Sequence, residues 1–179
     1  MMIVLSNSAR IECLQGNIID QTDCDILVNA ANAELLPGGG VCGAIHMAAG
    51  PALAAECMTL SPIKPGQCVV TAAYSLPNRF IIHAVGPIYG EDKPERNLLE
   101  SAYSSSIRAA DRRGATSIAF PSLSTGVFGY PIEEAAPVAL TTALACADEC
   151  RHLKLIRFVL FTDNEIHCFE KHLALLNAS

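Results

Sequence analysis

The chain has 179 residues, 51% of them hydrophobic and 17% charged, which fits one globular domain with its own core and excludes a disordered segment. Twelve Lys and Arg stand against 18 Asp and Glu, a formal charge of −6, so the basic footprint of a nucleic-acid-binding surface is missing. No apolar run reaches the roughly 18–20 residues that cross a bilayer, and the opening stretch MMIVLSNSARIECLQ lacks the basic segment and long apolar core of a signal peptide; the expectation is a soluble cytoplasmic protein.

Taken in order, Met2–Leu5 and Arg10–Gln15 predict two short strands around a polar turn at Ser6–Ser8. Gly16-Asn17-Ile18 reads as a loop. Asp25–Val28 (DILV) is a continuous apolar strand of the kind buried in parallel sheets. A glycine loop follows, then a helix from about Val41 to Ala49, interrupted at Gly50-Pro51 and resumed over Ala52–Thr59. Lys64-Pro65-Gly66 makes a turn, and Cys68–Ala72 and Phe80–Val85 are strands separated near Pro77-Asn78. Gly86–Pro94 is a loop carrying Tyr89. Glu95–Arg113 is the longest amphipathic helix, with Leu98, Leu99, Ala102, Ile107 and Ala110 available for one face and Gly114 to end it. The strand Ser117–Phe120, a helix from Ile132 to about Cys150, the strand Leu155–Phe161 and a helix from Glu165 to about Leu176 complete the chain. Strands alternate with helices from residue 25 onward, which predicts an α/β fold with a mostly parallel sheet and helices on both faces. Ligands of such folds gather beyond the carboxyl ends of the strands.

Two loops leave predicted strands at that edge. The first lies within VNAANAELLPGGGVCGAIHMAAG, Val28 to Gly50. Three consecutive glycines are costly to order, and they make sense where backbone approaches a ligand at a helix N-terminus, whose free N–H groups favour a phosphate. Asn29 and Asn32 stand upstream, where they can read hydroxyls. The second loop, Ser124-Thr125-Gly126-Val127-Phe128-Gly129, brings two hydroxyls and two glycines. Each has a plain alternative, a capped strand–helix connection, but together they can grip a diphosphate from two sides and so suit a dinucleotide-like ligand. Gly38–Gly43 literally matches G-x-G-x-x-G, yet Pro37 and about eight residues separate it from the strand, whereas the dinucleotide fingerprint follows its strand directly. A Walker pattern is absent as well, so hydride transfer and nucleoside triphosphate hydrolysis fit poorly.

The eight cysteines include no C-x-x-C pair, and the histidines are not spaced with them as zinc ligands. Reduced thiols are expected, with Cys24 and Cys68 as small core residues and no metal at Cys146 and Cys150, four apart on a helix. No cofactor is expected.

The segments QGNI (Gln15–Ile18), VNAAN (Val28–Asn32), GGGVCGAIHMAAGP (Gly38–Pro51), HAVGPIY (His83–Tyr89) and FPSLSTGVFGYP (Phe120–Pro131) resemble, in this order and over nearly the whole chain, the macrodomain family, in its branch of bacterial O-acetyl-ADP-ribose deacetylases and ADP-ribosyl hydrolases. The resemblance implies a single three-layer α/β/α domain over residues 1–179, with a central mixed, mostly parallel sheet and an ADP-ribose cleft. Asn17 replaces the family's adenine-reading acid, and its side-chain oxygen can still accept a hydrogen bond; Ile18 keeps the backbone contact. Phe161 matches an aromatic position against adenine, or is a core phenylalanine. Gly39, Gly40 and Val41, with Ser124, Thr125, Gly126, Val127 and Phe128, match the diphosphate grip, and Phe128 also matches a residue beside the distal ribose. Asn32 matches the asparagine that contacts the distal ribose and positions a water, while Asn29 fastens the loop. The usual motif carries an aspartate where this chain has Cys42, whose place at a helix N-terminus favours a lowered thiol pKa. Three readings follow: an inert Cys42 beside a water held by Asn32 and polarised by the ligand's phosphate, a Cys42 that acts as base or nucleophile, and a reader that binds without hydrolysis. His46, four residues on, either orients the ribose loop or fastens the helix. The implied ligands are ADP-ribose, O-acetyl-ADP-ribose and ADP-ribosylated proteins, with no membrane or nucleic-acid partner.

Overall fold

ILVNA, FIIHA, SIAF and LIRFVL are near-continuous apolar runs, the pattern of strands covered on both faces. In the computed structural model, which describes residues 1–5 and 7–178, they sit inside one seven-stranded sheet. Its strands are β1 (Met2–Val4), β2 (Arg10–Gln15), β3 (Ile26–Ala30), β4 (Cys68–Ala72), β5 (Phe80–Ala84), β6 (Ser117–Phe120) and β7 (Leu155–Leu160), in the spatial order β1-β2-β7-β6-β3-β5-β4. From β2 to β5 all neighbours are parallel; β1 and β4 close the two edges antiparallel. The carboxyl ends of five strands therefore open on a single edge.

Alternation along each strand feeds two cores. The helices α1 (Gly40–Ala49) and α2 (Pro51–Leu60) cover one face, where Ile45, Ala49, Leu53 and Cys57 pack on Leu27, Ile81 and Val159. The chain bends by 115° between them, at Gly50, whose φ of 88° lies in the left-handed region and is followed by Pro51 at the first position of α2. The helices α3 (Glu95–Arg112), α4 (Ile132–Glu149) and α5 (Asp163–Asn177) cover the other face. There Tyr103, Phe120, Phe158 and Phe169 form a chain of rings with centroids 5.2–5.8 Å apart, within the range of favourable aromatic pairing. The mostly parallel sheet with helices on both faces expected from the alternation is present, and with it the three-layer α/β/α architecture that the resemblance implies.

Three local differences follow from polar side chains that carry no apolar pattern. β3 runs two residues past Val28, because Asn29 and Ala30 pair in register with His83 and Ala84 of β5. Residues 18–20 form a 3-10 turn instead of a loop, because the Asn17 side chain accepts from the Ile19 N–H. α5 starts at Asp163, ahead of Glu165, because Thr162 and Glu165 form a reciprocal capping box. Of the predicted turn at Ser6–Ser8, Ser6 lies outside the described residues. Among the described residues no single helix is long and apolar enough to cross a membrane.

Candidate functional site

A cleft of about 620 Å³ lies along the carboxyl edge of the sheet. Asn17 lines it after β2, Ala30–Asn32 and Gly38–Cys42 after β3, Pro121–Phe128 after β6, and Phe161 and Glu165 after β7. The one charged side chain in this lining is an acid, Glu165. An anion in the cleft is therefore held by N–H dipoles and not by lysine or arginine.

The first loop is built to bring backbone close. Gly39 caps α1, which begins at Gly40. A Cβ on Gly43 would lie 2.4 Å from the Gly38 carbonyl oxygen, so only glycine lets the loop fold back on its own helix. Asn32 locks the other side: its Nδ2 donates to the Leu36 carbonyl at 2.8 Å and its Oδ1 accepts from the Leu36 N–H at 3.0 Å. One amide hydrogen and one lone pair of Asn32 remain, on a half-buried side chain lining the cleft.

The second loop turns at Ser124, whose φ of 67° is unusual for a residue with a side chain. A Cβ on Gly86 would meet the Ser124 Oγ at 2.1 Å, so the loop after β5 is cut away to admit Ser124. Hydrogen bonds hold the turn, among them Tyr130 N to Ser124 O at 3.0 Å, Tyr89 N to Phe128 O at 2.9 Å, and Leu123 N to the Tyr103 hydroxyl at 2.9 Å. The last ties the loop to the aromatic core.

At the far end, Phe161 is 74% exposed, which sets aside the reading of it as a core phenylalanine and leaves an open ring at the cleft. Asn17 faces the same cleft. Its carbonyl accepts from Gln21 Nε2 at 2.9 Å, and Gln21 Oε1 accepts from Arg157 at 3.0 Å. Arg157 also reaches Glu12 at 2.6 Å and Asp23 at 2.7 Å. Ile18 is buried and its side chain lies outside the lining.

Cys42 lines the cleft near Asn32 but is buried. Asn29 Nδ2 donates to its Sγ at 3.6 Å, and the thiol donates to the Leu36 carbonyl at 3.4 Å, which confirms Asn29 as the fastener of the loop. Burial pushes the Cys42 thiol up from its ordinary value, and hydrogen bonds from Asn29 and the Gly38 backbone offset this only in part. The expectation of a lowered pKa at the helix N-terminus is thus corrected: loss of water on burial raises it. His46 does not line the cleft. It is buried with neither ring nitrogen bonded among the described residues, so no Cys42–His46 dyad forms.

The sequence spacing announced no His–Cys cluster, yet the fold makes one: ligand atoms of His46, Cys57 and His83 lie within 4.8 Å of one another. His83 is committed to the protein, with Nδ1 3.0 Å from Asn29 Nδ2 and Nε2 2.9 Å from Thr71 Oγ1. The cluster is a polar core that carries Asn29, and through it Cys42. Burial, with His46 nearby, lowers the pKa of His83 to about 4. All eight cysteines are free; Cys24 is buried as expected, and Cys68, on the edge strand β4, is half-buried.

Sequence reasoning missed Glu165, which accepts from the Phe161 and Thr162 N–H groups at 3.0 and 2.9 Å and is 3.5 Å from Thr125 Oγ1. The T-x-x-E spacing of Thr162 to Glu165 is the signal that could have found it.

A doubly covered, mostly parallel sheet whose carboxyl-edge cleft carries two glycine loops and no lysine or arginine defines a class of α/β domains. The family model described as Macro domain matches residues 28–139. An O-acetyl-ADP-ribose deacetylase of Klebsiella pneumoniae is 44% identical over 91% of this chain and 95% of its own, and a macro domain-containing protein of Caldanaerobacter subterraneus is 45% identical over 90% and 94%. Among solved structures, the Oceanobacillus iheyensis macrodomain with ADP superposes with a TM-score of 0.92 at 38% identity, covering 98% of this chain and 95% of that one. The Trypanosoma brucei macrodomain in complex with ADP-ribose gives 0.83 at 38% identity, covering 91% and 68%. The chain belongs to the macrodomain family.

Proposed function

We propose that the protein binds ADP-ribose and hydrolyses an ester on its distal ribose, either that of O-acetyl-ADP-ribose or that joining ADP-ribose to an acidic side chain of a protein. The observation that carries this reading is Asn32, pinned by Leu36 on both amide atoms yet left with one donor and one acceptor at the cleft. The relatives that carry deacetylase names and the neighbours solved with ADP and ADP-ribose support it.

In this account the base lies at Phe161 and Asn17, the N–H groups of the Gly39–Val41 and Ser124–Phe128 loops hold the diphosphate, and the distal ribose reaches Asn32 and Cys42. Holding the ester beside a positioned water supplies orientation that free solution lacks. The water oxygen bonds to the acyl carbon, the acyl–oxygen bond to the ribose breaks, and the ribose oxygen takes a proton. A thiol raised by burial stays protonated near neutrality, so Cys42 is not the base; the ligand's own phosphate oxygens take that part while Asn32 orients the water. Replacing Asn32 with Ala tests this: turnover falls by roughly a hundredfold, the scale of losing one positioned polar group, while ADP-ribose binding persists. Unchanged turnover removes Asn32 from the mechanism.

A neutral Cys42 where the family resemblance places an aspartate favours a second reading, a module that binds ADP-ribose without chemistry.

A further inference from the structure

Residues 121–128 line the cleft, and the loop they form spends its backbone donors unevenly. The Leu123 N–H goes to the Tyr103 hydroxyl at 2.9 Å. The N–H groups of Gly129 and Tyr130 go to the carbonyls of Gly126 and Ser124, each at 3.0 Å. Between them, the N–H groups of Ser124, Thr125, Gly126, Val127 and Phe128 have no partner among the described residues. Such a run of unspent donors serves an anion only where the loop keeps one shape. We propose, resting on the reading of this cleft as an ADP-ribose site, that Tyr103 is a positioning residue for the ligand's diphosphate: from outside the cleft, its hydroxyl sets the shape of this loop.

Tyr103 sits on α3 and does not line the cleft. It is fully buried, with its ring centroid 5.3 Å from that of Phe120 and 6.0 Å from that of Phe158. Phe120 is the last residue of β6, and the loop leaves the sheet at the next one. A ring packed between two others cannot follow the loop, so the loop follows the hydroxyl. The bond falls one residue before Ser124, whose φ of 67° is a conformation that persists only where the surroundings hold it. Beyond Ser124, Tyr130 N holds the Ser124 carbonyl, and Tyr89 N holds the Phe128 carbonyl at 2.9 Å. These bonds tie the loop to itself and to another loop. Its further tie to a helix, Thr125 Oγ1 to Glu165 at 3.5 Å, is at the limit of a hydrogen bond. The Tyr103 hydroxyl is what joins the loop to the packed core.

Tyr103→Phe keeps the ring and removes the acceptor. Leu123 is fully buried, so its N–H is then left unpaired away from water. The loop moves to satisfy it, and the free donors that follow in sequence move with it. A diphosphate is gripped alike before and during cleavage of a distant ester, so the loss appears in KM and not in kcat.

The experiment compares the wild type, Tyr103→Phe and Phe169→Leu by ADP-ribose calorimetry and urea midpoints. Phe169 is the control: it is fully buried in the same core, 5.2 Å from Phe158 between centroids, and does not line the cleft. Tyr103→Phe is expected to weaken ADP-ribose binding about five- to tenfold, the scale of one hydrogen bond, and Phe169→Leu to stay within about twofold of the wild type although its midpoint also falls. With O-acetyl-ADP-ribose, KM rises in Tyr103→Phe by the same factor while kcat holds. Hydrogen exchange at the Leu123 amide of the wild type needs no variant. Because coupling is reciprocal, saturating ADP-ribose is expected to slow that exchange by at least about fivefold. Binding by Tyr103→Phe within about twofold of the wild type, equal losses in the two variants, or Leu123 exchange untouched by ADP-ribose overturns the proposal while the ADP-ribose reading stands. A wild type that fails to bind ADP-ribose overturns both.

Discussion

Asn29 Nδ2 donates to the Sγ of Cys42 at 3.6 Å while the Cys42 thiol donates to the Leu36 carbonyl at 3.4 Å. The sulfur is thus used twice for holding the loop, and its hydrogen bonds from Asn29 and the Gly38 backbone do not make up for its burial. Cys42→Ala is expected to leave turnover of O-acetyl-ADP-ribose within about threefold and to lower stability by roughly 1–2 kcal/mol, as one buried partner of Asn29 is lost. Turnover assays and urea midpoints on the same preparation check both. A loss of a hundredfold or more in turnover would return Cys42 to a chemical role. Cys42→Asp separates the two functional readings: activity that appears only in that variant marks the natural protein as a binding module.

Phe161→Ala isolates the base platform. The ring is 74% exposed, so its removal changes stability by no more than about 0.5 kcal/mol. ADP-ribose affinity is expected to fall by roughly 1–3 kcal/mol, the value of a base–aromatic stack, and affinity for a ribose diphosphate without a base stays put. Equal losses for both ligands contradict the placement.

Gly43→Ala tests the close approach of the first loop. The added Cβ has a backbone oxygen 2.4 Å away, and no rotamer relieves that contact. The loop must shift, so ADP-ribose affinity is expected to drop at least about tenfold, because preorganised N–H groups act only where they already point at the anion. Circular dichroism shows whether the fold survives, and calorimetry reads the affinity.

His83 makes stability depend on pH. Its folded pKa, about 4, lies below its ordinary value of 6.5. Between these values the unfolded chain binds the extra proton, so stability is full above about pH 6.5 and is lost as pH falls toward about 4. The full difference amounts to roughly 3 kcal/mol. Urea midpoints at pH 7 and 4.5 are expected to fall together with this proton uptake, and His83→Gln, which keeps a polar group beside Asn29 and Thr71, flattens the dependence. His46, also lowered by burial, acts in the same direction, so a remainder persists in that variant.

Much of the fold was legible because parallel strands leave near-continuous apolar runs: Ser117–Phe120 carries the predicted bounds, as does the antiparallel edge strand Cys68–Ala72. The two glycine loops were legible because glycine has few uses in such a place, and the structure sets them on one cleft. What stayed hidden depends on distance in space. The His46–Cys57–His83 cluster joins residues of α1, α2 and β5, and no linear spacing announces it. Arg157, in the middle of an apolar strand, gives no sign that it steadies Gln21 and so Asn17. The thiol pKa of Cys42 went the other way because a helix N-terminus shows in a sequence and burial does not.

The most direct test is the time course of acetate release from O-acetyl-ADP-ribose, with ligand binding followed in the same sample. Release well above the spontaneous rate, saturating with substrate and lost in Asn32→Ala, is the predicted result. Tight binding with release at the spontaneous rate would contradict the hydrolase account and leave the binding module in its place.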